Sequence, residues 1–218
     1  MITLTTFQWV PPFAQGLVRD LRVRWALEEA GIPYRQKLLA AGENDSPEYR
    51  ALQPWGQVPM IEEDGMMLFE SGAILIYLAD RSPALAEGTT AGRAKAAQWV
   101  AAALNSVEPH VQNLVLLDIF YAEEEWAKLR RPGAEAFLRM KLASLARRLQ
   151  GHEYLEDRFT IGDIMMATVL RNLRHTAIIT EDPVLGPYLA RCEARPAFQK
   201  ALADQLAVYE AHAPMEAA

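Results

Sequence analysis

Two short stretches of the chain hold residues placed for chemistry. Val58-Pro59 heads an apolar run, and Glu70-Ser71 sits where a second apolar run meets a helical one. A cis imide at Pro59 would make a tight turn and leave the N–H and C=O of Val58 facing away from the sheet. An extended, peptide-like ligand could pair with both as an added strand. Ser71 would open a helix whose free N–H groups and positive dipole end attract a carboxylate, and its hydroxyl adds a donor. Glu70 would accept an ammonium. Strand pairing, a carboxylate pocket and an ammonium acceptor together suit a small peptide with a free amino-acid end. Taken singly, the features also fit a turn proline and a helix cap; their joint spacing favours the ligand.

Such residues need a scaffold, and the pattern of the first 81 residues supplies one. Residues 2–7 read as a short strand. Residues 16–30 read as a helix, with Leu17, Leu21 and Trp25 at i, i+4 and i+8 and Gly31 closing it. Residues 34–39 read as a second strand, and Ser46-Pro47-Glu48 opens a helix with a serine cap and proline in the first turn. Strands at 58–62 and 66–69 flank Asp64-Gly65, a strong hairpin signal. Residues 71–80 return to helix, so the order is βαβαββα.

Residues 82–92 lose periodicity and read as a linker. The remainder, 93–218, reads as an all-helical domain. A long helix over 93–121 should kink at Pro109, and leucines at 138, 142, 145 and 149 mark a helix over 134–149 that Gly151 ends. Thr160 and Asp163 form a capping box before a buried helix at 164–173. Pro196 starts a last helix, with Phe198, Leu202, Leu206 and Tyr209 on one face. The predicted fold is therefore an α/β domain over 1–81 followed by an all-α domain.

Composition narrows the function classes. The 218 residues are 51% hydrophobic and 23% charged, as in an ordinary globular protein, and the net charge of −6 argues against nucleic acid. No run approaches the roughly 20 apolar residues of a membrane helix, and the first residues do not read as a signal peptide. A cytoplasmic location is expected. The single cysteine, Cys192, excludes an internal disulfide and a cysteine metal cluster, and its apolar helical setting suggests a buried residue rather than a nucleophile. His152-Glu153 lacks the second histidine of a zinc protease, so no metal is expected.

Gln53-Pro54-Trp55-Gly56-Gln57-Val58-Pro59, followed by Glu70-Ser71 before Ile74-Leu75-Ile76-Tyr77-Leu78, resembles the glutathione-binding half of the cytosolic glutathione S-transferases, bacterial type. Arg22 to Gly31 resembles that family's first helix, Phe159 to Asp163 its capping segment, and Arg195 to Gln199 its last helix. The resemblance covers nearly the whole chain. It implies a thioredoxin-like N-terminal domain, a helical C-terminal domain and a homodimer. It also implies that Val58, before a cis Pro59, pairs with the cysteinyl part of glutathione, that Glu70 and Ser71 hold the γ-glutamyl end, and that Gln57 assists.

The family's chemistry requires a group that stabilises the glutathione thiolate, because a thiol titrating near 8.5 is mostly protonated at neutral pH. The loop from Gln8 to Gly16 contains no Ser, Tyr or Cys. Alignment on the following helix puts Val18 or Arg19 at the usual catalytic position. Arg19 can donate and carries charge, so it leads, with Gln15 and the N–H groups at Gly16-Leu17 as further candidates. Trp9 and Phe13 from that loop, with Tyr121, would line a pocket for a small apolar electrophile. The expected activity is conjugation of glutathione, the co-substrate, in detoxification. A glutathione-dependent peroxidase or disulfide reductase, and a non-catalytic glutathione binder, are the alternatives.

Overall fold

The computed structural model describes residues 1–214. In chain order its elements are β1 (Ile2–Phe7), α1 (Asp20–Ala30), β2 (Tyr34–Leu39), α2 (Pro47–Leu52), β3 (Met60–Glu63), β4 (Met66–Phe69) and α3 (Ser71–Ala79). There follow α4 (Thr90–Ala102), α5 (Glu108–Val115), α6 (Glu125–Leu149), α7 (Ile161–Leu170), α8 (Leu185–Glu193) and α9 (Pro196–Ala211). The chain forms two compact units. Of the described residues, one holds 1–85 and 195–214; the other holds 86–194.

The first unit is a four-stranded sheet in the order β2-β1-β3-β4. β1 and β2 run parallel, so a crossover must join them, and α1 is that crossover. β3 and β4 are antiparallel to their neighbours and meet at Asp64-Gly65. Both turn residues have positive φ, 51° and 82°, as a two-residue hairpin matched to the sheet's twist demands. Ile2 and Leu4 share one face of β1, and Ile61 lies opposite Leu4. All three are buried, as are Leu21, Trp25 and Leu27 of α1 and Ile74, Leu75 and Leu78 of α3. A second cluster gathers Leu39, Tyr49, Val58 and Met60, with Phe7 and Phe69 packed against it.

α1 begins at Asp20 rather than residue 16. Gly16 has a φ of 75°, and the N–H groups of Leu17, Leu21 and Arg22 bond three residues back rather than four. The stretch expected to be its first turn is thus a run of tight turns. At the other end Gly31, at φ 63°, closes the helix as its position suggests. α2 is capped by Ser46, whose hydroxyl accepts from the Tyr49 N–H at 3.2 Å.

α9 packs on α1 and belongs to the first unit rather than to the helical one in which its sequence position placed it. The rings of Trp25 and Phe198 meet edge-on at 4.8 Å, and Arg195 grips Glu29 with two hydrogen bonds of 2.6 and 2.8 Å. Its buried face is Phe198, Ala201, Gln205 and Tyr209, so Leu202 and Leu206 of the expected stripe fall outside it. The cause is the partner: α1 presents the buried Asp20–Arg24 pair, and Gln205 answers it.

The second unit is all helical. α4 starts three residues before the expected position because Thr89 caps it, accepting from the Gly92 N–H at 2.9 Å. The predicted 93–121 helix is interrupted twice by wide π-type turns, at Ala103–Val107 and Leu116–Phe120. The first comes just before Pro109, which occupies the first turn of α5, where its missing N–H is tolerated. α6 starts at Glu125, not 134, and runs through Pro132. Arg131 ties the region together, bonding Asp118 at 2.6 and 3.0 Å and Glu135 at 2.7 Å. The four leucines of its expected stripe are buried. Thr160 and Asp163 form their capping box, and α7 behind it is buried along its whole length. Its cap sets the start at Ile161, and a tight turn at Arg171–Leu173 replaces its expected end. Cys192 is buried in α8.

Candidate functional site

Strand register decides which loops share an end of the sheet. Met60 pairs with Phe69, so Pro59 and Val58, just before β3, lie alongside Glu70 and Ser71, just after β4. On the other side Thr5 pairs with Met60, so the end of β1 and the loop that leaves it flank the same two residues. The backbone path thus gathers residues 8–19, Val58-Pro59 and Glu70-Ser71 at one edge. These are the segments singled out in the sequence, save Tyr121.

The Val58–Pro59 bond is cis. β3 begins at Met60, two residues after the predicted start, and the pairing of β3 with β1 ends at Thr5–Met60. Val58 lies beyond that ladder with its side chain sunk among Leu39, Tyr49 and Met60. The loop before it is held from α2: the Tyr49 hydroxyl donates to the Gln57 carbonyl at 2.7 Å, and the Asn44 amide donates to the Gly56 carbonyl at 3.0 Å. Burial pushes the Tyr49 hydroxyl up to about 12, which keeps it protonated and a donor. Gly56 has a φ of 63°, and a Cβ there would come within 2.7 Å of the Asn44 carbonyl oxygen. The Gln57 side chain is exposed.

Glu70 caps α3 with φ 67° and ψ 115°, an uncommon backbone for a residue with a side chain. Its carbonyl accepts from the Ile74 N–H at 2.9 Å, but no side chain caps the helix. The N–H groups of the first turn therefore have no intrahelical acceptor. Ser71 is 4% exposed, and its Oγ accepts from Nη1 of Arg22 at 3.1 Å. Arg22 is 2% exposed and was not among the residues that sequence reasoning selected. The only local signal is that Arg22 and Arg24 lie between the apolar residues Leu21, Val23 and Trp25; the contact itself spans 49 residues.

Arg19 is exposed and immediately precedes α1. Gln15 spends its amide on the loop itself, donating to the Val10 carbonyl at 3.1 Å. Trp9 and Phe13 lie in the same loop, and Phe13 is 51% exposed. Tyr121 belongs to the second unit, is 43% exposed and lies 5.1 Å from the Trp126 ring. Among the described residues no group of three His, Cys, Asp or Glu side chains could hold a metal, and no helix is long and apolar enough to cross a membrane.

Comparison with known proteins agrees with this fold. Residues 4–80 match the family described as glutathione S-transferase, N-terminal domain. A zeta-class glutathione S-transferase of Euphorbia esula is 30% identical over 198 residues, covering 85% of this chain and 86% of its own. A probable maleylacetoacetate isomerase of Drosophila melanogaster is 30% identical, covering 83% and 81%. A glutathione transferase of Burkholderia graminis, solved with two glutathione molecules bound per subunit, superposes with a TM-score of 0.78 at 31% identity, covering 92% of this chain and 87% of that one. On the matched domain, the shared fold and similarities that cover more than four fifths of each chain, the chain belongs to the glutathione S-transferase family.

Proposed function

We propose that the protein binds glutathione at the sheet edge formed by Val58, Glu70 and Ser71 and transfers its thiolate to a small apolar electrophile. The observation that carries this is the register: Met60 against Phe69 puts an unpaired strand end beside an uncapped helix N-terminus. The cysteinyl N–H and C=O of the ligand pair with the backbone of Val58 as an added strand. The γ-glutamyl carboxylate takes the free N–H groups of α3 and the Ser71 hydroxyl, while Glu70 takes the ammonium. Gln57, exposed on the same loop, is a further contact.

At the other side of the site, Arg19 stabilises the thiolate once the thiol proton has gone to solvent, whereas the Leu17 N–H is already bonded to the Ala14 carbonyl at 2.9 Å. Gln15 supports Arg19 by closing the loop. The sulfur lone pair then forms the new S–C bond, and the electrons of the broken bond leave with the displaced group or are protonated after addition. Trp9 and Phe13 supply apolar contact for the electrophile. A homodimer in the cytoplasm is part of the same proposal.

A second reading has one specific support: the Burkholderia graminis relative carries two glutathione molecules per subunit. Two glutathione thiols on one subunit suit reduction of a disulfide or peroxide by glutathione, with release of glutathione disulfide. Cys192 is fully buried, so the attacking sulfur in that case is the ligand's.

The test is a glutathione titration with the ultraviolet absorbance of the bound thiolate followed across pH. Binding with the thiol titrating well below its free value supports the transferase. Binding with a thiol that titrates as it does free in solution points to a non-catalytic family member, and no binding overturns the site.

A further inference from the structure

From the Arg22–Ser71 contact we infer that Arg22 is a positioning residue that sets the direction of the Ser71 hydroxyl, making the site select for the free carboxylate of a γ-glutamyl thiol. The inference rests on the glutathione reading above and deepens it at one end of the ligand.

A guanidinium has five N–H donors and no acceptor. Facing Arg22 Nη1 at 3.1 Å, the Ser71 Oγ can only accept. Its own proton must therefore point away from Arg22, and with one of the oxygen's two lone pairs taken, the O–H is left to donate to a ligand. Burial enforces the choice, because Ser71 and Arg22 are 4% and 2% exposed and little water competes for either group. α1 and α3 pack together, so the arginine is held against the serine by the two helices rather than by a mobile loop. Glu70, at φ 67°, turns the chain so that this serine is the first residue of α3. The site therefore offers a carboxylate a directed O–H beside the helix N–H groups, and a ligand end that lacks the carboxylate leaves those donors unpaired. A hydrogen bond to a charged group is among the stronger kinds, so the preference is expected to reach about tenfold or more.

The experiment compares binding of glutathione with 4-aminobutanoyl-cysteinylglycine, which lacks only the γ-glutamyl carboxylate, by isothermal titration. The wild-type protein should prefer glutathione by about tenfold. Arg22→Gln and Ser71→Ala should each remove most of that preference by weakening glutathione alone, and the double variant should bind no worse than either single one. Equal weakening of both ligands by Arg22→Gln, or multiplying effects in the double variant, would mean that Arg22 is only an interhelix tie. Because Arg22 is buried, folding of each variant is checked by thermal denaturation. If Arg22→Gln does not fold, Arg22→Lys replaces it in the same cycle, and independence from Ser71→Ala overturns the inference. Failure of the wild type to bind glutathione would overturn the reading beneath it as well. Glutathione binding that ignores Arg22 overturns the inference alone.

Discussion

Gln205 donates to the Asp20 carboxylate at 2.7 Å across the α1–α9 contact, deep inside the first unit. Asp20 also accepts from Arg24 Nε at 2.6 Å, and both side chains of that ion pair are fully buried. The pair sits at the first turn of α1, directly after Arg19. A buried pair is costly to break from one side, because the remaining charge loses its compensation. Replacing Asp20 with Ala should cost about 3–5 kcal/mol of stability, and Gln205→Leu about 1–3 kcal/mol by stranding one carboxylate oxygen. Urea denaturation of the two variants checks both numbers, and the order of the two losses checks the argument.

Legibility in the sequence followed the range of the interactions. Gly31, Ser46-Pro47, Asp64-Gly65 and Thr160…Asp163 act on their own few residues, and the elements they bound lie close to where the sequence put them. The βαβαββα order followed from those signals. Gln205 and Arg22 are different, because each answers a partner 185 or 49 residues away. Hydrophobic spacing therefore chose Leu202 and Leu206, beside Phe198 and Tyr209, for a face that Ala201 and Gln205 complete. At the site, Val58-Pro59 and Glu70-Ser71 could be picked out because strand ends and helix starts have local chemistry. Arg22 could not, since an arginine in a helix reads as a solvated residue until α3 is seen beside it.

Gly56 ties the fold to the site. Its positive φ strains any residue with a side chain, and a Cβ would collide with the Asn44 carbonyl oxygen at 2.7 Å and crowd the Arg50 guanidinium at 3.0 Å. Gly56→Ala should destabilise the protein by roughly 1–3 kcal/mol. The displaced loop carries Gln57 and Val58, so glutathione affinity should fall as well, by about tenfold. Thermal denaturation and ligand titration of the one variant read the two effects separately. A stability loss with unchanged affinity would show that the loop's position does not control binding.

Arg19 is exposed and lies outside α1, so its removal disturbs little packing. Arg19→Ala should raise the pKa of bound glutathione and lower turnover by about 10–100-fold, the range expected for losing one charged stabiliser of the reacting atom. Glutathione affinity should change much less, because the γ-glutamyl and cysteinyl contacts remain. Measuring the bound thiol's titration in the variant decides the matter: an unmoved pKa would remove Arg19 from that role.

Asp163 gives the second unit a pH dependence whose sign can be derived. Burial pushes its carboxyl up to about 6, opposing the Leu155 and Thr160 N–H groups and the Tyr188 hydroxyl, which favour the charged form. An unfolded aspartate titrates near 4. Between about 4 and 6 the folded protein thus holds a proton that the unfolded chain has released, and stability must fall as pH rises through that window. Above it the contribution is flat. Asp163→Asn cannot titrate, although it loses the capping box by turning an amide toward the Thr160 N–H. The stability advantage of the wild type over this variant should therefore shrink between pH 4 and 6, by roughly 2–3 kcal/mol in all, because each tenfold difference in proton affinity is worth about 1.4 kcal/mol. Denaturation curves of both proteins at several pH values measure that difference free of every other titrating group. An advantage that grows across the window would mean that the hydrogen-bond donors outweigh burial and that Asp163 is ionised throughout.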